Sequence, residues 1–183
     1  MLIFVGASAS GKTELAYYLR KNYQYQKCIT TTTRPQRVHE TQDVDYHFLS
    51  LDAFNKLIKE DQFVETNQYH GYFYGLQKKD VIEDSIIILD PNGANHIVST
   101  LENQVFVCYV RSSKLTRQQR MLARGDDETI INKRIALDDD IFDIKHLHHV
   151  HFVLNNENKS IDTLARAVHE AYQTWKKEIT HDR

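Results

Sequence analysis

The chain has 183 residues, with 23 basic against 25 acidic side chains and 41% hydrophobic composition. That length suits one domain with a sizeable core, and charges that nearly cancel exclude bulk electrostatic attraction to nucleic acid or a membrane surface. No apolar run reaches the length of a membrane span, and Cys28 and Cys108 lie far apart without zinc or redox spacing, which reads as two buried free thiols in a reducing cytoplasm.

In chain order, Met1-Leu2-Ile3-Phe4-Val5 reads as a buried strand that runs directly into the next motif, so it is not taken as a signal peptide. That motif, Gly6-Ala7-Ser8-Ala9-Ser10-Gly11-Lys12-Thr13, fits the phosphate-loop pattern G-x-x-x-x-G-K-[ST]. Glycines let the backbone curl so that several N–H groups face inward. The following helix N-terminus adds partial positive charge, Lys12 adds a full one, and the Thr13 hydroxyl suits a magnesium ion. Ala9 keeps its N–H available provided its φ stays negative. Leu15, Tyr18 and Leu19 then mark one face of a helix over 12–22.

Gln26 to Thr30 reads as a short strand feeding a polar loop in which Pro35 bars a helix. Arg34 and Arg37 on that loop suit one phosphate gripped by forked donors, or two solvated arginines. A small strand over 45–49 precedes Ser50, a candidate N-cap for a helix over 51–60. Residues 62–67 and 71–75 read as two strands joined by a turn, and a helix is expected around 77–84. The run Ser85 to Asp90 is apolar and ends on an acid, as a buried parallel strand would. Asp90 suits either a magnesium site or an N-cap for the helix that begins near Asn92.

A further buried strand covers 104–110. Residues 112–142 read as a charged helical pair broken at Gly125-Asp126-Asp127 and carrying Arg117, Arg120, Arg124 and Arg134, either a solvated face or a mobile lid. The last strand covers 149–154 and a closing helix 159–178. His146, His148, His149 and His151 sit at that strand's entrance, where alternation is expected to put the rings on opposite faces and to disfavour a metal site.

Several spaced motifs together resemble guanylate kinase over nearly the whole chain. They are Gly6–Thr13, Thr31-Thr32-Thr33-Arg34 with Arg37, Asp43 to Phe48, Phe63-Val64-Glu65, Gly71 to Gly75, Leu89-Asp90 with Gly93, and Arg120…Arg124-Gly125…Asn132-Lys133-Arg134. The resemblance implies an α/β fold, with a phosphate-loop, parallel-sheet core flanked by helices (1–30, 77–111 and 143–183). It also implies an inserted β-rich nucleoside-monophosphate lobe (31–76) and a helical lid (112–142).

The activity so implied moves the γ-phosphoryl of ATP to GMP, with magnesium as cofactor, in a cytoplasmic enzyme of purine metabolism that is a monomer or homodimer and binds neither nucleic acid nor membrane. Gly6 to Thr13, Arg120 and Asn155 would hold ATP. Thr30, Arg34, Arg37, Tyr46, Glu65, Tyr74 and Asp90 would serve GMP, and Lys12, Arg34, Arg124 and Arg134 the transfer. Thr13 would ligate magnesium, with Asp90 reaching it through water. Here the family role of Glu65 agrees with chemistry, because a carboxylate accepts from both N1–H and N2–H of guanine, whereas adenine presents a bare N1 acceptor.

Three departures stand out. Leu76 replaces the usual Ser or Thr, Ala9 replaces a loop glycine, and Arg124 and Arg134 stand one residue closer together than the family spacing. Leu76 leaves open a kinase with another phosphorylated acceptor. A non-catalytic guanylate-kinase-like binding module is the remaining alternative.

Overall fold

A computed structural model of the chain describes residues 1–38, 40–69 and 71–181. The backbone divides into two compact units, one comprising Met1 with Gln26–Ile87, the other Leu2–Tyr25 with the chain from Ile88 onward.

The second unit is an α/β layer. Strands β1 (Leu2–Val5), β8 (Phe106–Arg111) and β9 (Phe152–Asn155) run parallel, with Leu2 opposite Phe106 and Cys108 opposite Phe152. All four residues of β1 are buried, as expected of a parallel strand covered on both faces. Around these strands stand α1 (Lys12–Asn22), α3 (Pro91–Leu101), α4 (Lys114–Ala123), α5 (Glu128–Ile141) and α6 (Ile161–His181). Helix α6 buries Leu164, Ala165, Val168 and Tyr172, a stripe at helical spacing. Tyr172 and Trp175 continue that stripe as an aromatic cluster on Phe106 of β8. Side-chain caps start the helices where the sequence supplies them: Ser113 accepts from the Thr116 N–H, and Asp127 from Thr129 and Ile130.

The first unit holds β2 (Gln26–Lys27) paired in parallel with β7 (Ser85–Ile88), and a four-stranded sheet in the order β4-β3-β6-β5. Its strands are β3 (Thr31–Thr32), β4 (His47–Phe48), β5 (Phe63–Tyr69) and β6 (Tyr72–Gln77). Helix α2 (Leu51–Lys59), capped by the Ser50 hydroxyl, sets Phe54 on Phe63 at a ring-centroid distance of 4.5 Å and on Phe73 at 5.7 Å. Phe63 of β5 and Phe73 of β6 therefore face α2, and a register shift between Phe63 and Glu65 turns Glu65 to the opposite face. There Glu65 is opposite Leu76, two residues from Tyr74, so these three share that face.

The α/β class and the parallel strands expected from sequence are present. The helix expected over 77–84 is not: only a single 3-10 turn, Lys78–Asp80, forms there. Gln77 instead ends β6 with its side chain buried, donating to the Thr31 hydroxyl at 2.6 Å, and the Lys78 N–H continues to Gln62 O. Tertiary pairing overrides a locally helical composition. The strands expected from 26, 104 and 149 are also shorter, with Glu102–Gln104 forming another 3-10 turn.

Candidate functional site

Residues 6–13 close a tight loop between β1 and α1. Gly6 has φ +152° and Gly11 φ +94°, and each backs onto other protein atoms: a Cβ on Gly6 would meet Val110 O at 2.3 Å, and one on Gly11 would meet Asn156 Nδ2 at 2.2 Å. The two glycines are thus required both by backbone conformation and by close approach. Ala9 departs from expectation, because its φ is +59°, in the left-handed region. An alanine there costs about 1–2 kcal/mol, with the loop held by its neighbours. Replacing Ala9 by glycine is expected to raise stability by roughly 0.5–1 kcal/mol after the added chain entropy is subtracted. A melting temperature about 2 °C higher is the readout; an unchanged or lower value would show that the conformation is free of strain.

Lys12 is folded back over its own loop. Its ammonium donates to Gly6 O at 2.5 Å and Ala7 O at 2.8 Å, and it lies 5.7 Å from the Phe142 ring centre. Burial lowers its pKa to about 8, with the Asp138 carboxylate opposing that shift and the Arg117 guanidinium adding to it. Thr13 follows, exposed at the first turn of α1. The Ser8 N–H donates to Asp138 Oδ2 at 2.6 Å, and the Ser10 carbonyl accepts from Asn156 Nδ2 at 2.7 Å.

Arg120 is placed against the loop, donating to Ala9 O and the Ser112 hydroxyl, each at 3.1 Å, and to Asn156 Oδ1 at 3.1 Å. It buttresses the loop from behind. Asn155 is exposed, and its buried neighbour Asn156 makes the contacts to the loop. Asp90 is the N-cap of α3, its Oδ1 accepting from the Gly93 N–H at 2.9 Å. Arg124 and Arg134 converge on one carboxylate: Arg124 forks onto Asp126 Oδ2 through Nε (2.9 Å) and Nη2 (2.7 Å), and Arg134 Nη1 lies 3.8 Å from the same oxygen.

In the other unit, Arg34, Tyr46 and Tyr74 come together. The Arg34 guanidinium lies 5.4 Å from the Tyr46 ring centre and 5.6 Å from that of Phe48, and the Tyr46 and Tyr74 rings are 6.3 Å apart. Glu40 holds this group. It accepts from Arg34 Nη2 at 2.7 Å through one oxygen and from the Arg37 N–H at 2.8 Å through the other. That hydrogen bond to Glu40 is the main reason the Arg34 pKa stands above its ordinary value and the Glu40 pKa below. The Arg37 side chain is exposed, and Thr30 passes its carbonyl to the His47 N–H. Glu65 is 9% exposed beside the fully buried Leu76, so the carboxylate has an apolar wall where a hydroxyl was expected.

Sequence reasoning missed Glu40, Asn156 and Asp138, and put Arg117 on a solvated face or a mobile lid, whereas its side chain is buried. None carries a local pattern, and only their contacts across the fold distinguish them. The histidines also depart from expectation. The His149 and His151 rings are 4.2 Å apart, because positions two apart share a face and both precede β9. His151 accepts from the Val107 N–H, stacks on Phe106, and is pushed by burial to a pKa of about 4, so it is a neutral, half-buried packing group.

A family model described as guanylate kinase matches residues 1–173. The guanylate kinase of Carboxydothermus hydrogenoformans is 36% identical over 146 residues, covering 75% of this chain and 72% of its own length. That of Hydrogenovibrio crunogenus is 31% identical over 180 residues, covering 94% and 86%. The crystal structure of guanylate kinase from Anaplasma phagocytophilum superposes with a TM-score of 0.68 at 20% identity, covering 95% of this chain and 84% of that one, which establishes the likeness of fold. With the phosphate loop built as described and the match spanning nearly the whole chain, this protein belongs to the guanylate kinase family.

Proposed function

We propose that the chain transfers the γ-phosphoryl group of ATP to GMP, giving ADP and GDP, as a magnesium-dependent cytoplasmic enzyme of purine nucleotide metabolism. The observation that supports this most is the loop itself: two conformationally required glycines, a lysine folded over them and a helix N-terminus, in a chain of this family. Phosphoryl transfer asks little covalent chemistry of a protein and much positioning and charge neutralisation, which is what these groups supply.

On this reading Gly6 to Thr13 cradle the donor phosphates, Lys12 neutralises charge that develops on the transferred group, and Arg120 keeps the loop in shape. Arg124 and Arg134 on the helical pair exchange the Asp126 carboxylate for phosphate oxygens. Arg34, Tyr46, Tyr74 and Arg37 take the acceptor phosphate, and Glu65 reads the base. The exposed Thr13 hydroxyl at the loop is an oxygen donor suited to a hard divalent ion, and Asp90, with Oδ1 committed to its cap, would add its second oxygen through a bound water. When bound, magnesium supplies further neutralisation at the phosphates. Among the described residues no helix is long and apolar enough to cross a membrane.

ADP release with Mg-ATP and each of GMP, dGMP, AMP, CMP and UMP tests the assignment. Turnover with GMP and little with AMP is expected. No turnover with any of them, in a protein that still binds ATP, would replace GMP by another acceptor.

A further inference from the structure

The third residue of the phosphate loop already has an anion on it. Ser8 N–H, one of the amides that such a loop turns toward a phosphate oxygen, donates at 2.6 Å to Asp138 Oδ2, and Asp138 is only 7% exposed. The carboxylate comes from α5, 130 residues further along the chain. Its presentation is firm because the next residue, Asp139, is fastened to α4 by Arg117 Nη2 and by Lys114.

Beside this contact lies a cavity of about 350 Å³, bounded by Ala7, Arg117, Asp138 and Phe142. Arg117 is 3% exposed, and among the described residues its Nε and Nη1 have no hydrogen-bond partner. The space next to the loop therefore has a cationic side with two uncommitted donors and a carboxylate already holding the loop amide. A phosphate oxygen suits the first and competes with the second.

We propose that Asp138 is an internal competitor for the donor phosphates: it occupies the Ser8 amide, fastens α5 to the loop, and is displaced when ATP binds. The proposal rests on the reading that this loop takes ATP, and goes beyond it by assigning a residue that weakens donor binding. An anion supplied by the chain sets a threshold that a weakly charged ligand does not cross, because the incoming group must replace a charge-assisted hydrogen bond. Donors with few phosphates are disfavoured accordingly.

The test is calorimetric titration of Mg-ATP into the wild-type chain and the Asp138→Ala, Asp138→Asn and Asp140→Asn variants. Asp140 is exposed on the same helix, so its variant removes the same charge without touching the loop. Both Asp138 variants are expected to bind ATP about tenfold more tightly, and Asp140→Asn within about twofold of wild type. Hydrogen exchange without nucleotide should also accelerate in Asp138→Ala over both the loop and α5. Equal or weaker ATP binding in the Asp138 variants would overturn the proposal, as would equal tightening by Asp140→Asn. A wild-type chain that binds no ATP would overturn the kinase reading as well, so the two failures are distinguishable in one series.

Discussion

Lys12→Ala is expected to lower kcat/KM for ATP by about a thousandfold or more, since it removes a full charge from a preorganised phosphate site where one neutral donor already counts for about two to three orders of magnitude. The melting temperature should not fall with it. Lys12 makes its hydrogen bonds to Gly6 and Ala7 carbonyls while burial lowers its pKa from 10.5 to about 8, so its charge is held at a cost to the folded state.

Two opposite pH trends follow in the wild-type chain. On the proposed reading donor binding needs the ammonium, so kcat/KM for ATP is expected to fall as pH rises through about 8. Between about 8 and 10.5 the unfolded chain holds more protons at this position than the folded one, so the lysine's contribution to stability rises with pH over the same window. A steady-state profile from pH 6 to 10 beside a denaturant series checks both. An Lys12→Ala enzyme with near-normal turnover would remove the loop from the chemistry.

Glu65→Ala is expected to raise the KM for GMP by about a hundredfold or more while leaving the KM for ATP within a few-fold. On the proposed reading two charge-assisted hydrogen bonds from guanine are lost at once, each contributing about 1.5–3 kcal/mol. The setting strengthens this, because Glu65 is 9% exposed and faces fully buried Leu76, so bulk water does little to replace the carboxylate. Leu76→Thr in the same assay asks whether a hydroxyl there tightens GMP further. If the KM for GMP were unchanged in Glu65→Ala, the base would be read elsewhere.

What the sequence made legible, and what it did not, divides along physical lines. The loop over 6–13 was legible because its requirements are local: two positions that need glycine, a lysine one residue on, an apolar strand before and a helical stripe after. Ser50, Asp90 and the break before Glu128 likewise carry their signals within a few residues, and the helices start there. Asp138 could not be found this way, since it reads as one of three consecutive acids on a charged helix and gains meaning only through a backbone amide far away in sequence. Asn156 and Glu40 are of the same kind. The 77–84 segment misled because its composition permits a helix, whereas the buried bond from Gln77 to Thr31 and the pairing of β6 decide the outcome. Ala9 misled for the opposite reason: the residue type argues against a left-handed backbone that its neighbours impose.

The two cysteines carry a consequence for watching this protein move. Burial holds the Cys28 thiol up at about 12 and pushes Cys108 higher still, so neither is a thiolate at neutral pH. Cys28 belongs to the unit of 26–87, and Cys108 sits in β8 of the other. A thiol reagent therefore reacts only when the unit around its target opens, and the chain comes supplied with one silent clock in each half. Labelling rates at the two sites, followed separately, time the breathing of the unit of 26–87 and of the phosphate-loop layer without any introduced probe.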